Sequence, residues 1–366
     1  MDAARRQRRR YLAGNRRQRV PLARCLRKTP KGEQSSPGTN DASRRSDATL
    51  KMRGRSAISQ PMNKPTIAVA IACHNQAHFL DDAIRSVIGQ TRQADAIILV
   101  NDGSTDGTAA VARAYPQLHH LHQANAGLSA ARNAACAATD ADYILFLDAD
   151  DVLYPSALAH AENCLSSSPK LAFVYGGYER TDQNGRVLSR HVAVPMAEPS
   201  LDLLRGNCIA MHGTVLYRRP VLHASGGFDV KLRSCEDYDV YLRLARTHAV
   251  AAYHAIAAGY RQHGQGMSGH NLRMVATSRM VIRRHARAAS RDPAYKMAAA
   301  AGLAFMTDYY TQALLDSLEQ AWSERRFGRA LQQLFADARS YPGAAVNALW
   351  SGFVVNRRPG LRSRPR

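Results

Sequence analysis

The sequence predicts an α/β protein built on a mostly parallel sheet flanked by helices. Two observations carry that prediction. Between residues 66 and 148, short apolar runs alternate with longer amphipathic stretches, giving strand, loop and helix in regular succession. A parallel sheet with crossover helices is assembled in this way. Polar residues also collect where each predicted strand stops: His74 and Asn75, then Asp102, then Asn125, then Asp148 and Asp150. Ligands of open α/β sheets sit at the carboxyl ends of the strands, so this chain has a candidate binding rim.

The first predicted strand is Thr66–Ala72, followed by the loop Cys73-His74-Asn75-Gln76. Phe79, Leu80, Ala83, Ile84, Val87 and Ile88 then make the stripe of a helix with one face on the sheet. Ala96–Val100 is the second strand. It ends in Asn101-Asp102-Gly103-Ser104-Thr105-Asp106-Gly107-Thr108, a turn-forming loop whose Ser, Thr and Asp side chains suit the cap of a helix starting near Thr108. Leu118–Gln123, the third strand, leads through Asn125-Ala126-Gly127 to an Ala-rich helix, Leu128–Ala138, which carries Arg132 and Asn133. The fourth strand, Tyr143-Ile144-Leu145-Phe146-Leu147, is apolar throughout, as a strand buried on both faces must be. It runs into Asp148-Ala149-Asp150-Asp151, and carboxylates there suit either a divalent cation shared with substrate phosphates or the caps of a following helix. Further on, Glu236 and Asp237 open an amphipathic helix with Val240, Leu242, Leu244 and Ala245. Residues 271–340 read as two to four helices rich in Ala, Leu and Arg, expected to form a helical cap or an oligomerisation element.

Charge divides the chain differently. Of the formal net charge of +21, residues 1–64 and 356–366 supply 19. The basic residues of these arms lie among Ser, Gly, Pro and Asn, a composition that predicts disorder. The near-neutral body lacks the structured basic face with stacking aromatics of a nucleic-acid-binding fold. Peripheral contact of the arms with an anionic membrane is the expectation, with no specific nucleic acid. Met52 and Met62 are candidate true starts, which would make the preceding residues a translated upstream segment. The six cysteines show no Cys-x-x-Cys pair, so neither a zinc site nor a disulfide framework is expected. No apolar run reaches the ~18–20 residues of a membrane span, and no apolar stretch follows the basic start as in a signal peptide. The expected location is cytoplasmic, at most peripheral at the inner face of the membrane.

The motifs taken together resemble the nucleotide-sugar-binding half of family 2 glycosyltransferases of the GT-A fold. The residues that carry this are Cys73-His74-Asn75 after a strand, Asn101 to Thr108, Asn125-Ala126-Gly127-Leu128-Ser129-Ala130-Ala131-Arg132-Asn133, and Phe146 to Asp151. The second half continues the resemblance with Gly226-Gly227-Phe228-Asp229, Glu236-Asp237, and Tyr260-Arg261-Gln262-His263 with Met267-Ser268 after it. It covers about residues 65–270, leaving a basic segment at 1–64, a helical extension at 271–345 and a basic tail at 346–366.

The resemblance implies a non-processive, inverting enzyme that moves one sugar from a nucleoside-diphosphate sugar to a hydroxyl of a glycan or lipid-linked acceptor, as in envelope polysaccharide synthesis. It implies a divalent metal, Mg²⁺ or Mn²⁺, held by Asp150 and His263. Asp102 is expected at the nucleobase, Asp148 near the ribose, and Arg132, Gly127 and Arg261 along the nucleotide. Asp237, with Glu236 beside it, is expected to be the general base, and Asp151 to support the metal side or cap a helix. Ala72, His74 and Asn75 stand where the family often has Pro-x-Tyr-Asn, so an imidazole replaces the ring that stacks on uracil. The Gln-x-x-Arg-Trp motif of the membrane-embedded processive synthases is absent. Two other classes compete: a nucleic-acid- or membrane-surface-binding protein working through its arms, and a nucleotidyltransferase of similar fold. The Glu236-Asp237 pair, and the lack of a Gly-rich triphosphate loop near residue 75, argue against the latter.

Overall fold

A computed structural model describes residues 64–263, 270–288, 291–323, 327–343 and 345–346. The basic arm at 1–63, Met267-Ser268 and most of the tail lie outside the described residues. The elements are β1 (Ile67–Cys73), α1 (Ala77–Ile88), β2 (Ala96–Asp102), α2 (Thr108–Arg113), β3 (His119–Gln123), α3 (Leu128–Ala137), β4 (Tyr143–Asp148), β5 (Val152–Leu153) and α4 (Ala157–Ser166). They continue with β6 (Leu171–Thr181), β7 (Val187–His191), α5 (Pro199–Arg205), a 3₁₀ turn at His212–Thr214, β8 (Val215–Arg218), α6 (Arg219–Ala224), α7 (Glu236–Ala245) and β9 (Ala249–Arg261). Helices α8 (Asn271–Ala288), α9 (Pro293–Ser323) and α10 (Phe327–Ser340) follow.

The strands form one mixed sheet in the order β3-β2-β1-β4-β8-β6-β9-β5, with β7 paired to β6. The four strands predicted from the repeat are mutually parallel, β1 lying between β2 and β4 and β3 outside β2. β8 runs antiparallel between β4 and β6, so the carboxyl ends of β4 and β6 point the same way. Two strands run further than their apolar runs suggested. The ladder pairs Ala72 with Asp148 and Cys73 with Asn101, and backbone pairing is indifferent to side-chain polarity. Asp102 and Asp148 are therefore the last residues of their strands, fixed by the sheet itself.

Alternation along β1 sorts the two faces. Ile67, Val69 and Ile71 point into a core shared with Leu80, Ile84 and Val87 of α1 and with Leu158 and Leu165 of α4. Ala68 and Ala70 face Ala131 and Ala135 of α3, and that same core continues through Phe146, Phe173, Tyr217 and Tyr241 to α7 and α8. Small residues on both sides bring α3 close to the sheet, which matters because α3 carries Arg132. The helices after residue 270 pack on this second face. Val281 and Ile282 of α8 and Met306 of α9 belong to its core, and α9 crosses α5 at Gly302, where any side chain would collide with the Leu204 carbonyl.

Candidate active site

The loop after β2 is built by carboxylates that serve the backbone. Asp106 Oδ1 accepts the Thr108 N–H at 3.0 Å at the start of α2, and its Oδ2 accepts the Ala77 N–H at 3.0 Å at the start of α1. One side chain thus satisfies orphan donors of two helices. Asp102, 4 % exposed, is used in the same way. Its Oδ1 accepts from Ala126 N at 2.9 Å and Gln123 Nε2 at 2.7 Å, and its Oδ2 from Gly127 N at 2.9 Å. Both oxygens of the residue expected at the nucleobase therefore hold the loop that carries Gly127.

His74 and Asn75 are exposed at the same rim. His74 Nδ1 lies 2.8 Å from the Asp102 carbonyl oxygen, and the Asn125 amide is 3.1 Å from His74 Nε2. Asn75 adopts φ +55° and its Oδ1 accepts the Thr105 N–H at 2.8 Å. Asn75 and Cys235 are the two non-glycine residues at positive φ among the described residues. A side chain in that region costs on the order of 1–2 kcal/mol, and such strain concentrates at functional sites. Both residues border the rim; Cys235 immediately precedes Glu236.

At the end of β4, Asp148 keeps a 35 % exposed side chain while its Oδ1 accepts from Arg132 Nη2 at 2.7 Å. Asp150 Oδ2 lies 2.8 Å from His263 Nε2. Burial first, then the negative charge of Asp148, raises the Asp150 carboxyl above its ordinary range, and His263 opposes this. Asp151 is buried and accepts the Arg261 N–H at 2.9 Å. It caps no helix: β5 follows and pairs with β9, so Asp151 ties the end of β9 to the aspartate loop. Burial, then Asp150 and Asp148, pushes its carboxyl well up. Arg261 is already engaged, with Nη2 3.0 Å from Asp82 and its guanidinium 4.6 Å from the centre of the Phe79 ring. Phe79 also lies 5.0 Å from the His263 ring. In the sequence Phe79 reads as part of an apolar stripe; in the fold it supports the closing segment, and only its half-exposed place at the start of α1 distinguishes it.

The second wall of the site comes from α7. Arg132 is buried, its side chain 3 % exposed, with Nη1 2.7 Å from Glu236 Oε1 and Nη2 on Asp148. Its guanidinium lies 5.5 Å from the Phe228 ring centre. Burial would lower its pKa, but Asp148, Glu236 and Asp237 more than offset that and hold it above its ordinary value. The next residue, Asn133, bonds both backbone groups of Phe228 at 2.8 Å. Gly227, at φ +64°, leaves the space its amide fills. Arg132-Asn133 on α3 therefore grips both α7 and the Gly-Gly-Phe-Asp turn. The sequence displayed this dipeptide but gave no signal for its partners about a hundred residues away.

Asp237 sits half-buried at the first turn of α7. Burial, and then the neighbouring Glu236, pushes its carboxyl up to about 7, with Arg132 pulling it back. Asp239, one residue on, is buried and bonds Arg243, Arg284 and His285 at 3.2, 3.2 and 3.0 Å. Arg284 also bonds Asp229 at 2.8 Å, so α8 clamps both α7 and the Gly-Gly-Phe-Asp turn.

No three His, Cys, Asp or Glu side chains among the described residues form a self-contained metal cage. The donor set at the rim is smaller: a carboxylate and an imidazole in contact, beside a second carboxylate with one uncommitted oxygen. Such a set fits a hard divalent ion that takes one or two protein carboxylates and completes its shell on substrate phosphates. No helix among the described residues is long and apolar enough to cross a membrane.

Residues 68–226 match the profile of glycosyl transferase family 2. Over 222 residues the chain is 31 % identical to an uncharacterized glycosyltransferase of Rickettsia felis, an alignment covering 57 % of this chain and 36 % of the relative. Over 215 residues it is 29 % identical to the chondroitin synthase of Pasteurella multocida, covering 57 % of this chain and 22 % of that one. The chain thus spans little more than a third of the Rickettsia relative's length. A mannosyltransferase from Pyrobaculum calidifontis, solved in complex with GDP-Man and Mn²⁺, superposes with a TM-score of 0.50 over 81 % of this chain and 89 % of that chain, at 18 % identity. At that identity the likeness is one of fold. The family match, the relatives and the sheet order with carboxylates at its rim agree: residues 68–226 match glycosyl transferase family 2, and the fold is GT-A.

Proposed function

We propose that the chain transfers one sugar, with inversion, from a nucleoside-diphosphate sugar to a hydroxyl of a glycan or lipid-linked acceptor, using a divalent metal. The observation that carries this reading is the pairing, across Arg132, of Asp148 at the Asp148–Asp150–His263 rim with Glu236, the neighbour of Asp237 at the start of α7. The polar strand ends and a carboxylate of raised proton affinity thereby stand around one guanidinium. The mannosyltransferase with GDP-Man and Mn²⁺, and the polysaccharide synthase among the relatives, support it. Asp150 and His263 would hold the metal, which when bound supplies Lewis-acid stabilisation of the leaving diphosphate.

The chain's own side chains do the rest. The loop that Asp102 ties down, with His74 and Asn75, borders the place for the base. Asp148 offers its free oxygen to the ribose. Asp237 accepts the proton of the acceptor hydroxyl as that oxygen attacks the anomeric carbon, and a group with a pKa near the working pH suits this role. Direct attack from the side opposite the diphosphate inverts the anomeric centre, so an α-linked donor gives a β-linked product. The site lies at the cytoplasmic face of envelope glycan synthesis, with the basic arms as peripheral contacts to anionic lipid.

The test is release of nucleoside diphosphate from a panel of UDP-, GDP- and dTDP-sugars with and without acceptor. Stimulation by acceptor and loss in EDTA are expected. Full transfer in EDTA would remove the metal from the scheme, and full transfer by Asp237→Asn would remove the base.

A further inference from the structure

We infer that Arg132 is the positioning residue that joins the donor-side carboxylate Asp148 to the base end of α7 and keeps Asp237 in its proton-accepting form. This rests on the proposed role of Asp237. Arg132 projects from α3, the helix that the alanines of β1 allow close to the sheet. It reaches a residue 16 positions away on β4 with one terminal nitrogen and a residue 104 positions away on α7 with the other, each at 2.7 Å. Its Nε is buried with no hydrogen-bond partner among the described residues, so the orientation is set by these two carboxylates and by the Phe228 ring. A surface arginine would gain little from such pairs. A buried one, removed, leaves uncompensated charges behind.

The surroundings of Asp237 explain why the guanidinium matters. Glu236 and Asp148 press negative charge on it, and Arg132 is the cation that opposes them. The other groups that face it, Tyr217 on β8, Tyr241 on α7 and Cys235 before α7, all have proton affinities raised first by burial. They add no positive charge. Without Arg132, three carboxylates share a poorly solvated corner, and Asp237 would hold its proton at neutral pH. The geometry adds a second consequence. The gap between Asp148 on β4 and Glu236, the residue before Asp237 on α7, is spanned by this one side chain, so a cation without the two-pronged guanidinium cannot hold both ends.

The experiment uses the full chain and needs no substrate. The melting-temperature difference between Asp237→Asn and wild type is followed from pH 4 to pH 9. It grows as the buried carboxylate ionises and levels off at the folded-state titration point, near about 7. The same difference is measured in an Arg132→Gln background, where it is expected to keep growing for at least about one further pH unit, the size of effect that an adjacent cation exerts. A plateau at the same pH overturns the inference.

Arg132→Lys separates charge from reach and serves if the glutamine variant does not fold. Its transfer kcat on the nucleotide-sugar panel is expected to fall at least tenfold, with KM for the donor changed less. An unchanged kcat overturns the positioning role. Transfer retained by Asp237→Asn would instead defeat the proposed base itself, whatever Arg132 does, so the two failures are distinguishable.

Discussion

The two walls of the cleft are built by different means. On the side proposed for the donor, residues 65–151, the site groups sit where strands end, and the parallel ladder fixes Ala72 beside Asp148 and Cys73 beside Asn101. On the side proposed for the acceptor, Asp237 stands at the start of a helix held by side chains: Arg132 on Glu236, Asn133 on Phe228, and Arg284 and His285 on Asp239. Backbone pairing tolerates substitution of side chains. Side-chain pairing does not, so the acceptor wall is expected to be the more fragile half.

The largest effect expected on that contrast is Asp237→Asn. Transfer should fall by about 10²–10⁴, the usual contribution of a positioned base, while calorimetric binding of the nucleoside diphosphate stays unchanged. The variant should also melt higher than wild type. The carboxyl titrates near about 7 in the fold against an ordinary value of 3.8. Between these values the folded state binds the extra proton, so stability falls as pH rises from about 4 to about 7. Abolishing the carboxylate removes that loss. In the same window activity rises with pH, and a transfer rate that is flat from pH 5 to 8 would contradict the assignment.

Asp239→Asn comes next. It strips a buried carboxylate from Arg243, Arg284 and His285, and losing one partner of a buried charge group costs about 3–5 kcal/mol. Asp239 is held below its ordinary range: burial acts against that, but His285 first and then the arginines outweigh it. Its contribution is therefore present at neutral pH and disappears as pH falls through its depressed titration point below 3.8. Chemical denaturation measures the loss. If nucleotide affinity falls together with stability, the two walls are coupled more tightly than the backbone-versus-side-chain contrast allows.

Asn133→Ala is expected to cost roughly 1–3 kcal/mol, because it strands both backbone groups of Phe228, and to lower kcat more than donor affinity. The smallest effect belongs to Arg190→Ala. Arg190 reaches the buried Glu179 from a side chain that is 68 % exposed. Glu179 keeps its bond from the Tyr154 hydroxyl when the arginine is removed, so the loss should stay within about 0–1 kcal/mol, as for solvent-screened pairs. A loss above 2 kcal/mol there would mean that β7 does more than edge the sheet.

The legibility of the sequence follows the same division. The four parallel strands, the helices between them and the polar strand ends could be read because period and burial are local properties. The structure moved β2 and β4 on to Asp102 and Asp148, since a ladder continues wherever its partner does. The role of Asp102 was less legible. Its turn chemistry was visible, but the three donors that claim its oxygens come from the end of β3 and the loop after it, more than twenty residues away. The helices after residue 270 read as a cap or assembly element; α8 proves to reach the acceptor wall through Arg284 and His285.

By itself, then, the sequence determined the fold class and the two sets of carboxylates at Asp148–Asp151 and Glu236–Asp237. Residue type, spacing and strand period carry that information along the chain. Only the tertiary structure decided that Arg132 lies between those sets, with 16 residues to one partner and 104 to the other. The reason is physical: a buried guanidinium is fixed by the charges around it, and which charges those are depends on how helix, strand and turn pack.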